Sequence, residues 1–251
     1  MPALASDFRI LVTGGCGFLG SHLVSALRSR FPVVALDVRN PGADEAFVEG
    51  SVTDAERVDE ILEGMGGLVI SHMAPRAPGV YDSPKLPFEV NVEGTALLLD
   101  AAVKRKLKRV VLISSVAVVQ QSMTAGQFLS IDLLPSPDSI YGLTKALQEE
   151  TARYYHSRHG LEIAILRPAY ISMGDTLKDK YGVSRPSVNW QFIDPRDIGA
   201  AALAAFALED LGCETFYLMA GPGAEQRADI RHTMARLGWT PQFRFTGFPV
   251  D

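Results

Sequence analysis

Short apolar runs alternate along this chain with segments whose apolar residues return at the helical period, and the alternation holds to about Phe206. Ile10-Leu11-Val12, Phe31 to Asp37, Leu68 to Met73, Val110 to Ile113 and Leu161 to Leu166 read as strands, most of them apolar enough to be covered on both faces. Between them Ser21 to Leu27, Ala55 to Leu62, Asn91 to Lys104, Tyr141 to His156 and Ile198 to Leu208 carry the helical period. Thr53 or Asp54 is placed to cap the second of these helices. Such alternation predicts βαβ units around a parallel sheet. Two long stretches, the proline-rich Pro75 to Phe88 and the mixed Ser172 to Asn189, have no period and follow strand ends. In a doubly wound sheet that is the edge where ligands sit.

The first strand runs into Thr13-Gly14-Gly15-Cys16-Gly17-Phe18-Leu19-Gly20. Three glycines have separate tasks in such a turn. Gly14 lets the chain leave the strand sharply, Gly17 lets the backbone lie against a pyrophosphate, and Gly20 lets the next helix pack close to the sheet. Helix-start N–H groups and the helix dipole suit an anion there. Asp37 closes the second strand seventeen residues past Gly20, about where an acid accepts hydrogen bonds from an adenosine ribose. The combination predicts a dinucleotide site. A carboxylate at that point repels a 2′-phosphate and favours NAD; Arg39, two residues on, keeps NADP as the alternative.

Bulk properties narrow the class. With 251 residues the chain can bury one good core, or a domain and a half. A net charge of −5 without a basic stripe argues against a nucleic-acid partner. The cluster Lys104, Arg105, Lys106, Lys108 and Arg109 reads as a solvated helix end. Cys16 and Cys213 make neither a disulfide framework nor a zinc spacing, and Cys16 fits the need for a small side chain in its turn. His156 and His159 lack companions for a metal. No leader pattern opens the chain and no apolar run is long enough for a bilayer, so a cytoplasmic protein without a membrane partner is expected.

Ser115, Tyr141 and Lys145 form a second constellation. Tyr141 and Lys145 stand four apart, which on a helix is one face. A phenol is a poor base at its ordinary pKa of about 10, but a neighbouring ammonium and a cationic nicotinamide ring favour the phenolate. Tyr141 then takes the proton of a substrate hydroxyl, Lys145 also holds the nicotinamide ribose, and Ser115 hydrogen-bonds the same substrate oxygen. His72 closes a strand beside this edge and reads more simply as a satisfied structural histidine than as a base.

Thr13 to Gly20, Asn91-Val92-Glu93-Gly94-Thr95, Ser114-Ser115 and Tyr141-Gly142-Leu143-Thr144-Lys145 together resemble the extended short-chain dehydrogenase/reductases, the NAD-dependent epimerase/dehydratase group. Leu166-Arg167-Pro168 and Leu237-Gly238-Trp239-Thr240-Pro241 are similar to further stretches of that group. The resemblance implies Asn91, Ser115, Tyr141 and Lys145 as the active-site set. It implies Asp37 on the adenosine ribose and Asp54 near the adenine, with Phe18, Leu19, Val52, Met73, Ala74 and Pro168 completing the NAD pocket around Gly14, Gly17 and Gly20. It also implies a homodimer, because relatives commonly pair through two helices, one of them Tyr141 to His156. Val116 and Ala117 stand where sugar 4,6-dehydratases of the group carry Asp-Glu, which argues against dehydration. Ser51 and Val119-Gln120 depart from a frequent Asp and a frequent Tyr-Gly.

The expected architecture is α/β, a doubly wound parallel sheet of Rossmann type with a small C-terminal substrate lobe. Residues 1–170 form the NAD-binding core, 190–208 return to it, and 171–189 with 209–251 form the lobe. The expected activity is NAD-dependent oxidation or reduction at a secondary hydroxyl or ketone of a sugar or sugar derivative. A nucleotide-sugar epimerase using the same site is the alternative, and a non-catalytic nucleotide-sensing scaffold a further one. The stretch Tyr181 to Asp194 is similar to that of the short uronate dehydrogenases, which oxidise a free sugar acid. An acid substrate wants a cation, for which Arg76, Arg167 and Arg185 are at hand, although each alone reads more simply as a surface or capping arginine. Trp190 and Phe192 read as lobe core.

Overall fold

Strands that are apolar at consecutive positions need cover on both sides, and here two helical layers supply it. The computed structural model describes residues 8–39, 46–75, 81 and 83–251. Its elements run β1 (Ile10–Thr13), α1 (Phe18–Arg28), β2 (Val33–Asp37), β3 (Phe47–Glu49), α2 (Ala55–Ile61), β4 (Gly67–Ile70), α3 (Lys85–Pro87), α4 (Gly94–Lys104), β5 (Arg109–Ile113), α5 (Gln120–Thr124), α6 (Ile140–His159), β6 (Glu162–Pro168), β7 (Tyr170–Ile171), β8 (Phe192–Ile193), α7 (Pro195–Ala207), β9 (Cys213–Leu218) and α8 (Ile230–Leu237). Seven strands form one sheet in the order β3-β2-β1-β4-β5-β6-β9, and every neighbouring pair is parallel.

Alternate residues of each strand enter different cores. Ile10, Val12, Val69, Val111 and Leu166 pack with α1, α7 and α8. Leu11, Leu68, Ile70, Leu112 and Ile165 pack with α2, α4 and α6. Each such aliphatic side chain, fully buried, contributes about 1.5–3 kcal/mol. On the first face α7 lies so close to α1 that a methyl group on Gly199 would meet the Ala26 methyl at 2.8 Å. The doubly wound α/β sheet is therefore as expected.

Four boundaries differ. The edge strand β3 has only three residues, too few to show a period. The β4 strand stops at Ile70, so Ser71-His72-Met73 form a strand-end loop. The helix read as starting at Asn91 begins with a π-helical turn, Phe88–Glu93, a feature that often accompanies functional positions. Residues 209–251 do not lie wholly in a lobe: Cys213–Leu218 is the seventh strand of the main sheet, and Ile230 and Leu237 of α8 are buried in the first core. Sequence alternation fails in β9 because Cys213, Glu214 and Thr215 are only half-buried at the sheet edge.

What stands apart from the sheet is smaller. Strands β7 and β8 form a separate parallel pair, Val188 bridges Val250, and Phe192 packs its ring 4.8 Å from Tyr170 and 5.5 Å from Phe245. Phe192 is core here, and Trp190 is half-buried against the same cluster. Among the described residues no helix is long and apolar enough to cross a membrane.

Candidate active site

The glycine turn is shaped by close approach. Gly14 has φ +66°, and a methyl group on it would lie 2.8 Å from the His72 Cα. A methyl on Gly20 would lie 1.9 Å from the Gly14 carbonyl oxygen, so α1 starts directly against the turn. Gly17 caps α1 without a side-chain hydrogen bond. Among the described residues a methyl there would meet only the Gly14 oxygen, at 3.2 Å. This is a helix N-terminus with its mouth left open, which fits a diphosphate. Asp37 stands at its rim: one carboxylate oxygen accepts from the Cys16 N–H at 3.1 Å and the other from the Arg39 N–H at 3.3 Å. Phe18 and Leu19 are the first residues of α1. Asp54 caps α2 by accepting from the Arg57 N–H at 3.1 Å. Val52 is buried against Gly94, where a methyl would meet it at 2.6 Å.

The loop after β4 is latched to the turn. Thr13 Oγ1 accepts from the Ser71 N–H at 3.2 Å and pairs with His72 Nδ1 at 2.9 Å. His72 Nε2 donates to the Val90 carbonyl at 3.0 Å. Burial, and then the charge of Lys145, hold the imidazole pKa down to about 3. His72 is therefore neutral and satisfied at both nitrogens, a structural residue as expected.

The catalytic candidates converge on the same edge. Asn91 is fully buried; its Oδ1 accepts from the Ala74 N–H at 2.7 Å and its Nδ2 donates to Thr144 Oγ1 at 3.0 Å. It thereby ties the loop carrying Met73 and Ala74 to the helix carrying Lys145. Ser139 caps that helix, accepting from the Gly142 N–H at 3.2 Å. Tyr141 occupies its first turn and Lys145 the next. Lys145 is buried and donates to the Ile113 carbonyl at 2.8 Å, just before Ser114-Ser115. Ser115 caps the 3₁₀ turn Val116–Val119 by accepting from the Ala117 N–H at 3.2 Å. A methyl on Gly142 would lie 2.5 Å from the Ala117 carbonyl, so the Tyr141 turn abuts the Ser115 segment. Pro168 ends the adjacent β6.

Behind these residues lies a group that the pattern did not show. Glu149, fully buried, accepts from Ser114 Oγ at 2.6 Å, from Arg167 at 2.8 and 2.7 Å, and from Arg153 at 2.9 Å. Arg167 also donates to the Tyr217 hydroxyl at 2.9 Å. Burial alone would raise the Glu149 carboxyl, but Arg167, Ser114 and Arg153 hold it below its ordinary value. Burial pulls the other way on Arg167, and Glu149 raises it. Arg167 is thus neither a surface residue nor a substrate cation. Its signal was available: a charge inside an apolar strand must be paired, and Glu149 lies one turn beyond Lys145 on a helix. Arg185 is exposed between β7 and β8, where its Nε donates to the Tyr170 hydroxyl at 2.7 Å. Arg76 lies outside the described residues.

A seven-stranded parallel sheet with a glycine turn at its carboxyl edge, and a Tyr-Lys helix face beside a strand-end serine, has the form of a dinucleotide-dependent oxidoreductase. The chain belongs to the NAD dependent epimerase/dehydratase family, whose model matches residues 10–172. It is 32% identical over 186 residues to an L-arabinose 1-dehydrogenase (NAD(P)(+)) of Haloferax volcanii, covering 68% of this chain and 70% of that one. It is also 32% identical over 171 residues to a putative UDP-glucose 4-epimerase of Methanocaldococcus jannaschii, covering 63% of this chain and 54% of the relative, about half its length. A short-chain dehydrogenase/reductase superfamily protein from Agrobacterium tumefaciens, solved with bound NAD, shares the fold at TM-score 0.80 and 23% identity, over 94% of both chains.

Proposed function

We propose that this protein is an NAD-dependent oxidoreductase acting at a secondary hydroxyl or ketone of a sugar or sugar derivative. The observation that carries this reading is the meeting of the α6 N-terminus, with Tyr141 and Lys145, and the Ser115 segment beside an open glycine turn. Family membership and the arabinose dehydrogenase relative support it. The turn at Gly14, Gly17 and Gly20, with Phe18 and Leu19, holds the NAD diphosphate. Asp37 takes the adenosine ribose, Val52 and Asp54 flank the adenine, and Met73, Ala74 and Pro168 line the nicotinamide side. Bound there, NAD supplies a hydride acceptor.

The chain's own groups handle the proton. Tyr141 accepts it from the substrate hydroxyl, and the Lys145 cation favours the phenolate that does so. Ser115 Oγ already accepts from the Ala117 N–H, which leaves its own hydrogen to donate to the substrate oxygen as charge develops. Asn91, engaged by Ala74 and Thr144, holds this arrangement and does not act on the substrate itself. Residues 171–189, with β7 and β8, form the lobe that receives the sugar.

The test is Tyr141→Phe in the full chain, with L-arabinose, D-glucuronate and UDP-glucose as substrates. Turnover should fall by about 10²–10⁴-fold while NAD affinity is kept. Unchanged turnover sinks the reading. The epimerase alternative draws on the putative UDP-glucose 4-epimerase relative and is recognised by product formation without net NADH. We further place the protein in the cytoplasm: with only Cys16 and Cys213 the chain has no disulfide framework, which suits a reducing compartment. A homodimer across α6 fits the exposure of Leu143 and Tyr154 on that helix, 41% and 57%; light scattering reads the mass.

A further inference from the structure

Two serines close β5, and they are used on opposite sides. Ser115 caps the 3₁₀ turn Val116–Val119. Ser114 is buried, donating its N–H to the Leu166 carbonyl at 2.8 Å and its hydroxyl to Glu149 at 2.6 Å. One turn back along α6, Lys145 donates to the Ile113 carbonyl at 2.8 Å. The strand end is therefore fastened to the helix at two points four residues apart. Asn91 to Thr144 and Gln148 to Thr95 hold the same helix to its neighbours on α4 and the turn before it, and Lys145 with Glu149 adds two direct ties to the end of β5, one helical turn apart. The second tie is charge-assisted and short, hence directional.

Its far end does not give. Glu149 is clamped by Arg167 and Arg153, and Arg167 by Tyr217 on β9. From this geometry we propose that Ser114 is a positioning residue of the active site. Its hydroxyl, through Glu149, sets the register of α6 on β5, and so the placement of Tyr141 against Ser115. The inference rests on the reading of Tyr141 as the proton acceptor. Without the Ser114 hydroxyl, Glu149 keeps its guanidinium partners, so the buried charge stays paired and the fold is retained. What is lost is the direct tie between the end of β5 and α6, which lets Tyr141 shift against Ser115.

Ser114→Ala and Ser114→Thr in the full chain test this, by steady-state kinetics with the sugar that wild type oxidises among L-arabinose, D-glucuronate and UDP-glucose. In Ser114→Ala kcat falls about tenfold, with KM within about twofold, because misplacement hurts the reacting geometry more than binding. The melting temperature stays close to wild type, and Ser114→Thr, which restores the hydroxyl, recovers most of kcat. Amide exchange across Ile113 to Ala117 and the first turns of α6 quickens in Ser114→Ala alone. An unchanged kcat with unchanged exchange overturns the proposal, as does a loss that follows melting temperature and is not rescued by Thr. Should Tyr141→Phe remain active, the catalytic reading fails by itself, and the exchange arm still decides whether Ser114 holds the register.

Discussion

Around Gly14, Gly17 and Gly20 the carboxyl edge of the sheet is held by bringing backbone against backbone where no side chain intrudes. Around Ser114, Glu149 and Arg167, a few strands away on the same edge, it is held by full charges buried beneath three strands and a helix. The first solution gains stability from close packing and leaves space at the N-terminus of α1. The second gains little net stability, since desolvating two ions offsets most of their attraction, but it penalises every geometry except one. A cofactor that is large and makes many contacts tolerates the first kind of frame. A proton transfer that depends on the seat of one phenol calls for the second.

Breaking the charged side costs most. Glu149→Ala strands Arg167 without its partner and should destabilise the protein by about 3–5 kcal/mol, read as the urea midpoint. Replacing both with apolar residues of similar volume, Glu149→Leu with Arg167→Met, should recover most of that stability without recovering turnover. Stability regained together with turnover would refute the positioning role of the pair.

The glycine side divides under the same treatment. Gly20→Ala drives a methyl into the Gly14 carbonyl and should cost about 1–3 kcal/mol as overpacked cores do. Gly17→Ala meets only one oxygen at 3.2 Å; it should leave the melting temperature nearly unchanged and weaken NAD binding, measured by calorimetry. Equal effects on stability from the two variants would dissolve the distinction.

His72, which links Thr13 beside the glycine turn to the Val90 carbonyl, gives the gentlest probe. Its folded pKa of about 3 lies below the ordinary 6.5, so the unfolded chain takes up a proton that the folded one refuses. The stability it contributes is complete above about pH 6.5 and is lost as pH falls toward 3, at about 1.4 kcal/mol per pH unit. Denaturant midpoints at decreasing pH should show that slope, and His72→Gln should flatten it. A slope equal in the two proteins would mean that the imidazole is not held neutral.

Much of the fold was legible because its signals are local. Gly14 needs its left-handed φ and Gly20 its close contact from a few residues on either side, and both stand in one short stretch of chain. Apolar runs such as Val110 to Ile113 announce cover on both faces whatever provides it. Tyr141 and Lys145 were readable as one face because helical spacing is itself local. Misreadings fell where the deciding contact is distant. Arg167 was legible as a cation yet not as Glu149's partner, eighteen positions away. Cys213–Leu218 joined the sheet through pairing with β6, which its half-polar sequence does not display.

By itself, then, the amino-acid order determined a doubly wound α/β sheet, a glycine turn that opens a helix and a Tyr-Lys helix face, since each follows from residue type and spacing within a turn or two. Only the tertiary structure decided that Ser114 meets Glu149 while Ser115 caps the 3₁₀ turn, that Asn91 bridges Ala74 to Thr144, and that Glu149 ends among three donors from other turns and strands. These outcomes depend on which strands become neighbours, and burial makes the choice unforgiving: a charge or amide taken out of water must find its partner wherever the fold brings one.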